Sequence, residues 1–364
     1  MKMGTLGGFP NPPATTPLGE AQLRQREPTT PAAGAAPQPP LGIIAMNLGG
    51  PASLDDVEPF LRRLFGDPEV IQLGWARPIQ PLLARWIARR RAPFSRAAYE
   101  QIGGKSPILA ETTAQVEAVV AALGTRGIAA TPAVAMAAWH PLADEALAAL
   151  AAHGVRRAVA LPLYPHESRT TTDSSLLQIE AARKRHPGLE IAAIRRYPDA
   201  EGFLQAVAER IQEAVPSLPA ELAGSAPVLF SAHGLPEAYI RRGDPYLDDI
   251  RVTVEALTRR LGLGDRARLC FQSRVGRQRW LGPSTEEVID QLGAAGTRAV
   301  LVVPIAFTGE HIETLQEIDI LYRERAQKAG IVHFARARTV GSHPAFIATL
   351  ADLCEAAARA RGWL

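Results

Sequence analysis

The chain is poor in cysteine. Cys270 and Cys354 are the only two among 364 residues, far apart and without a CxxC pairing. That excludes a four-thiolate zinc site, or an iron–sulfur cluster held by four thiolates of one chain. Two buried free thiols are expected instead. Charge of one sign is scarce as well. The formal net charge is +3, so no general affinity for nucleic acid follows. No apolar run reaches the ~18 residues that span a bilayer. The N-terminus lacks the apolar stretch of a secretory signal, and none is expected. GxGxxG and the GxxxxGK phosphate loop are both missing, which leaves nucleotide binding unsupported. The GxSxG elbow is missing too, which removes the usual α/β-hydrolase reading.

What is present is an ordinary globular composition, 47% hydrophobic and 21% charged, long enough for one large domain or two medium ones. Residues 1–40 are rich in Pro, Ala, Thr and Gly and show no periodicity, so a disordered tail is expected there. From Leu41 onward apolar runs alternate with amphipathic stretches. Strands are expected at 43–48, 133–139, 158–164, 191–197, 228–233, 269–272, 299–307 and 332–335. Helices are expected at 112–123, 144–152, 286–292 and 344–361, with another after Asp55-Asp56 whose apolar face carries Phe60, Leu61 and Leu64. This rhythm is that of parallel sheets flanked by helices, an α/β fold. Eight strands suggest two units, with breaks near Pro198 and 216–224.

Four segments carry candidate chemistry. The acidic stretch Glu310-His311-Ile312-Glu313-Thr314-Leu315-Gln316-Glu317 follows the apolar run 299–307. It therefore starts at the carboxyl end of a strand, where open α/β sheets bind ligands. On a helix Glu313 and Glu317 share a face and repel, a cost that a divalent cation would offset. Imidazole and carboxylate suit Fe²⁺, Zn²⁺ or Mn²⁺; a solvated acidic face is the alternative. His233, in Ser231-Ala232-His233-Gly234-Leu235-Pro236, likewise stands at a strand end. There an imidazole accepts protons or binds metal, or is merely structural. The hydroxyl-rich turn from Ser168 through Thr171 to Ser174 and Ser175 offers an anion site or plain helix capping. Finally, Val70 to Tyr99 holds six arginines and no acidic residue, interleaved with Trp75, Leu82, Trp86 and Ile87. Such a segment suits a membrane surface, or a helix packed on its own core.

Six stretches together resemble the ferrochelatase family, enzymes that insert Fe²⁺ into a porphyrin in heme synthesis. They are MNLGGPASLDDVEPFLRRLFGDPEVI (46–71), YEQIGGKSPI (99–108), LPLYPHESRTTTDSSL (161–176), FSAHGLP (230–236), FQSRVGRQRWLGPSTEEVI (271–289) and FTGEHIETLQEIDILY (307–322). They occur in family order. The resemblance implies two Rossmann-like lobes, 41–200 and 201–343, with a porphyrin cleft between them. A C-terminal helix, 344–364, would pack back on the first lobe. His233 and Glu313 match the family's catalytic histidine and acidic residue, and His233, His311, Glu313 and Glu317 its metal path. The family often has a π-helical turn there. Porphyrin contacts are implied for Leu48, Tyr164, Ser168, Thr171, Ser174 and Trp280. Three places depart from the family pattern: Ala137-Ala138-Trp139, His166-Glu167 and Leu321.

The resemblance further implies Fe²⁺ as substrate, with no resident cofactor and no iron–sulfur cluster. A cytoplasmic monomer is expected, without nucleic-acid partners, touching a membrane peripherally through the cleft lip at 73–94. Protoporphyrin IX and coproporphyrin III both remain open as substrates. So do chelation of another metal or tetrapyrrole, and an inactive porphyrin carrier.

Overall fold

The computed structural model describes residues 40–70, 78–274 and 278–364. All but Pro40 of the expected N-terminal tail, and positions 73–77 of the expected lip, lie outside the described residues. Two four-stranded parallel sheets form the frame. The first contains β1 (Leu41–Asn47), β2 (Ala130–Met136), β3 (Arg157–Pro162) and β4 (Glu190–Ala193), in the order β2-β1-β3-β4. The second contains β5 (Val228–His233), β6 (Ala267–Gln272), β7 (Ala299–Pro304) and β8 (His333–Arg336), in the order β6-β5-β7-β8. The two halves thus repeat one topology.

Helices cover both faces of each sheet. In chain order they are α1 (Val57–Gly66), α2 (Gln80–Gln101), α3 (Ile108–Gly124), α4 (Ala143–Ala152), α5 (Ser174–Arg183) and α6 (Glu201–Ala214). They continue with α7 (Ala220–Ala223), α8 (Glu237–Arg241), α9 (Tyr246–Arg260), α10 (Thr285–Ala294), α11 (Arg323–Lys328) and α12 (Pro344–Ala360). Because successive strand residues point to opposite faces, β1 feeds two cores. Leu41, Ile43 and Ala45 join a core that runs through both lobes; Ile44 and Met46 join one under α4 and α5. The shared core also takes Val116 and Val119 of α3, Phe203 of α6, Ile250 of α9 and Phe346 of α12. Strands buried on both faces explain the near-continuous apolar runs.

All eight expected strands occur, but five stop short of their expected ends. Expected ends at Leu48, Trp139, Tyr164, Tyr197 and Phe307 become Asn47, Met136, Pro162, Ala193 and Pro304. The overrun residues are apolar for another reason. Ala138, Leu163, Ile194, Tyr197 and Ile305 are buried just beyond the strand ends.

Polar ties across the molecule fix one half against the other. The Gln115 amide on α3 donates to the carbonyls of Thr308 (2.9 Å) and Gly341 (3.0 Å), and the Thr308 hydroxyl donates to Leu163 O (2.9 Å). Asp244 accepts from the Ser168 hydroxyl (3.0 Å) and the Arg169 amide (2.9 Å). His166 is buried against Phe203 and Tyr246. Its Nε2 meets the Thr253 hydroxyl at 2.9 Å, and that hydroxyl donates to Pro198 O at 2.6 Å. The imidazole must therefore donate from Nε2. Burial pushes its pKa down to about 3 from an ordinary 6.5.

Between those values the unfolded chain binds a proton that the folded chain does not, so stability falls as pH drops through that window. His166→Gln removes the titration. Denaturant unfolding from pH 6.5 to 4 should then show a slope shallower than wild type by up to roughly 1.4 kcal/mol per pH unit. An unchanged slope contradicts the assignment.

Candidate active site

In each sheet the chain turns one way from the first strand and the other way to reach the third. The gap between the carboxyl ends of β1 and β3, and of β5 and β7, is therefore a topological switch point, the usual ligand site of open parallel sheets. Leu48 and Tyr164 follow β1 and β3. His233 ends β5, and Phe307 to Glu313 follow β7. The candidate residues of the sequence thus fall at the two crevices that topology singles out.

His233 is half-buried. Its Nδ1 lies 2.8 Å from Gly234 O, an atom that only accepts, so Nδ1 carries a proton and the contact orients the ring. The Tyr246 hydroxyl donates to the His233 carbonyl (3.0 Å) and steadies the segment from behind. Gly234 is needed for close approach. Its amide donates to Gln272 O at 2.8 Å, and an added Cβ would stand 2.8 Å from that same oxygen. The Trp280 ring lies on the same spot, 3.4 Å from such a Cβ. The Phe307 ring stands edge-on to both imidazoles, 6.4 Å from His233 and 4.4 Å from His311.

Glu313 opens a π-helical segment, Glu313–Tyr322, where i→i+5 bonding replaces the α pattern. An α-helix was the expectation from residue spacing; the family resemblance implied the π turn. The wider turn is held from outside. Arg336 of β8, 9% exposed, pairs with Glu310 (2.9 Å) just before the segment and with Asp319 (2.8 Å) inside it. His311 Nδ1 meets Glu313 Oε2 at 2.6 Å, a charge-assisted contact with the proton on nitrogen. Burial alone would raise the Glu313 pKa. The charge and hydrogen bond of His311, with the charge of His233, outweigh it and hold the carboxyl at about 2. His233 and Glu313 are thus within electrostatic reach of each other. Tyr99, at the end of α2, is close as well: burial and the Glu313 charge push its phenol up.

Glu317 sits differently. It accepts from the Ser273 amide (2.8 Å) and hydroxyl (2.5 Å), the Gln272 amide (3.0 Å) and the Tyr322 hydroxyl (2.7 Å). The sequence suggested that a cation offsets the Glu313–Glu317 repulsion; around Glu317 four protein donors contribute to that offset. Its acceptor sites are spent on those donors. Among the described residues no three His, Cys, Asp or Glu side chains stand together as a preformed metal cage. His311 and Glu313 therefore meet directly, His233 faces them across Phe307, and Glu317 buttresses the segment.

The implied porphyrin contacts divide as well. Leu48 belongs to an apolar cluster with Trp139, Tyr99 and Ile312, beside Glu313. Trp280 adjoins His233. Tyr164 lies deep, its hydroxyl buried without a well-aligned partner and its pKa pushed up by burial. Ser168 is 1% exposed and spent on Asp244, and Ser174 is 2% exposed and donates to Asp67 at 2.5 Å. Thr171 is half-buried on a second π-helical turn, Arg169–Asp173. Ser168 and Ser174 of the hydroxyl-rich turn thus tie it to Asp244 and Asp67. A groove of about 600 Å³ beside α5 and β4, lined by Arg169, Asp173, Leu176, Leu177 and Arg195, contains none of the clustered residues.

Sequence reasoning passed over Gln272, Ser273, Tyr99, Phe307 and Arg336. Ser273 has φ +64°, the one non-glycine residue in that region among those described, at a cost of roughly 1 kcal/mol or more. Only one signal was available for Gln272: a polar residue closing an apolar strand.

Comparisons with known proteins bear on the family and the fold. The family model described as Ferrochelatase matches residues 40–358. A ferrochelatase of Prochlorococcus marinus is 42% identical over 322 residues, covering 86% of this chain and 81% of its own. One from Synechococcus sp. (strain JA-3-3Ab) is 44% identical over 318 residues, covering 86% and 92%. Among solved structures, SirB from Bacillus subtilis with Fe³⁺ superposes with a TM-score of 0.52 at 14% identity, covering 89% of this chain and 98% of that one. That likeness shows the fold.

Proposed function

The chain belongs to the ferrochelatase family, and we propose that it inserts Fe²⁺ into a free-base porphyrin, with release of two protons, through His233 and Glu313. The observation that carries this reading is the placement, at one switch point and about the Phe307 ring, of an imidazole oriented by its Nδ1 hydrogen bond and a carboxylate held by His311. The flat macrocycle hides its nitrogen lone pairs. A cleft that fits a bent ring better than a flat one lowers the barrier to metal entry. The two groups suit different tasks. A carboxylate with a pKa of about 2 is a poor base at neutral pH but a good attractor of a dication. His233 Nε2 is the better acceptor for a pyrrole proton, and the imidazolium so formed is stabilised by the Glu313 charge. His311 holds that carboxylate in place.

Fe²⁺ insertion followed anaerobically by absorbance, with protoporphyrin IX and coproporphyrin III in parallel and Co²⁺ and Zn²⁺ as alternative metals, tests the reaction. His233→Ala should lower kcat by roughly 100-fold or more. Glu313→Gln should lower kcat far more than it weakens porphyrin binding. Full turnover by His233→Ala, or equal losses of kcat and affinity in Glu313→Gln, would contradict the assigned roles.

The same reading extends to the lip of the cleft. No helix among the described residues is long and apolar enough to cross a membrane. Helix α2 instead buries a stripe of small residues, Ala84, Ala88 and Ala92, against α1. It turns Leu82, Trp86 and Phe94 outward, at 72%, 57% and 84% exposure. Arg85, Arg89 and Arg90 share the exposed surface, and Arg90 lies over the Trp86 ring at 5.2 Å. A core-packing role leaves this surface unexplained; contact with an anionic bilayer accounts for both its apolar and its basic residues. Sedimentation with anionic liposomes should recover the wild-type protein and lose most of a Trp86→Ala/Arg89→Ala variant. Equal recovery of both speaks against the lip as an anchor.

A further inference from the structure

We propose that Gln272 is the positioning residue that sets the spacing between His233 and Glu313; the inference rests on the roles just assigned to those two. Gln272 ends β6 and is the direct register partner of His233 on β5. Its main-chain carbonyl takes the Gly234 amide at 2.8 Å, which pins the imidazole segment. Its side-chain amide donates to the Glu313 carbonyl at 2.9 Å and to Glu317 at 3.0 Å, which pins the carboxylate segment. Its side-chain carbonyl accepts from the Ser231 hydroxyl at 2.7 Å, so the amide is held in one orientation. One residue thereby touches both halves of the site.

The residue type matters. Gln272 is 1% exposed, and the two residues before it on β6, Cys270 and Phe271, are apolar and buried. Packing alone asks for no amide at that point. An amide that is fully satisfied inside a buried network fixes geometry, since every alternative placement leaves a buried polar group unpaired. The network continues into Ser273, whose left-handed backbone is held by two hydrogen bonds to Glu317. Gln272 therefore sits between the strand ladder, which places His233, and the π-helical segment, which places Glu313. It touches neither reactive side chain and acts through the backbone of Gly234, next to His233, and of Glu313.

The test is a split between chemistry and binding. Gln272→Leu keeps the volume and removes the donors. Its kcat should fall roughly 10- to 100-fold, the range expected from misplacing a reacting group by about 1 Å. Porphyrin affinity by fluorescence quenching should stay within about twofold of wild type. Gln272→Glu keeps the shape and the contact with Ser231 while losing both donors, and should fall at least as far. Ser231→Ala frees the amide orientation and leaves Gln272 in place, so its kcat should lie between wild type and Gln272→Leu. It decides the matter by the same criteria if the Gln272 variants do not fold. Wild-type kcat in Gln272→Leu overturns the positioning role alone, because the wild-type protein in that assay has already shown the reaction. Parallel loss of kcat, affinity and thermal midpoint also overturns it, as the mark of general structural damage.

Discussion

The pairing of β5 with β7 is the constraint on which the site depends. Two parallel neighbours that are not consecutive in the chain leave a crevice at their carboxyl ends. One strand ends at His233; the other leads through Phe307 to Glu313. The paired residues, Val228 to Ser231 against Leu301 to Pro304, are all buried, so the juxtaposition is hard to distort. Everything added to it is refinement: the aromatic edge of Phe307, the clamp of Arg336 on the π-helical segment, and the donors that surround Glu317.

Charge is handled in the same spirit. Three acidic side chains, Glu310, Glu313 and Glu317, crowd one short segment, and each is answered by a different device. Arg336 and Thr339 neutralise Glu310, His311 meets Glu313, and four hydrogen-bond donors surround Glu317. Glu313 keeps a quarter of its side chain open to solvent. Of the three, Glu313 is the one paired with an imidazole rather than with a guanidinium or a ring of donors. The first lobe supplies the opposing wall through Leu48 and Trp139, and α2 carries that wall on to an exposed face of arginine and aromatic residues.

Much of this was legible in the chain. Strand-length apolar runs located all eight strands because parallel strands covered on both faces must be apolar throughout. Motif order pointed to His233 and Glu313. Strand ends were overrun where buried loop residues such as Leu163 and Ile305 are as apolar as the strands themselves. The π-helical bonding was invisible to spacing, and the partners that tie the segment, Gln272 and Arg336, are remote in sequence. For Ser168 and Ser174 helix capping was the better reading of the sequence and an anion site the alternative; their partners Asp244 and Asp67 could not be read from the chain. Hydrogen-bond satisfaction is a property of three-dimensional neighbours, and it decides whether a polar side chain is free to do chemistry.

The central claim is that His233 and Glu313 act as one unit. A double-mutant cycle on kcat for metal insertion addresses it most directly, using His233→Ala, Glu313→Gln and the double variant. If the two side chains cooperate in a single step, the double variant is slower than the slower single variant by no more than about threefold. A double variant whose loss equals the product of the two single losses would mean that the groups act independently, and would contradict the account.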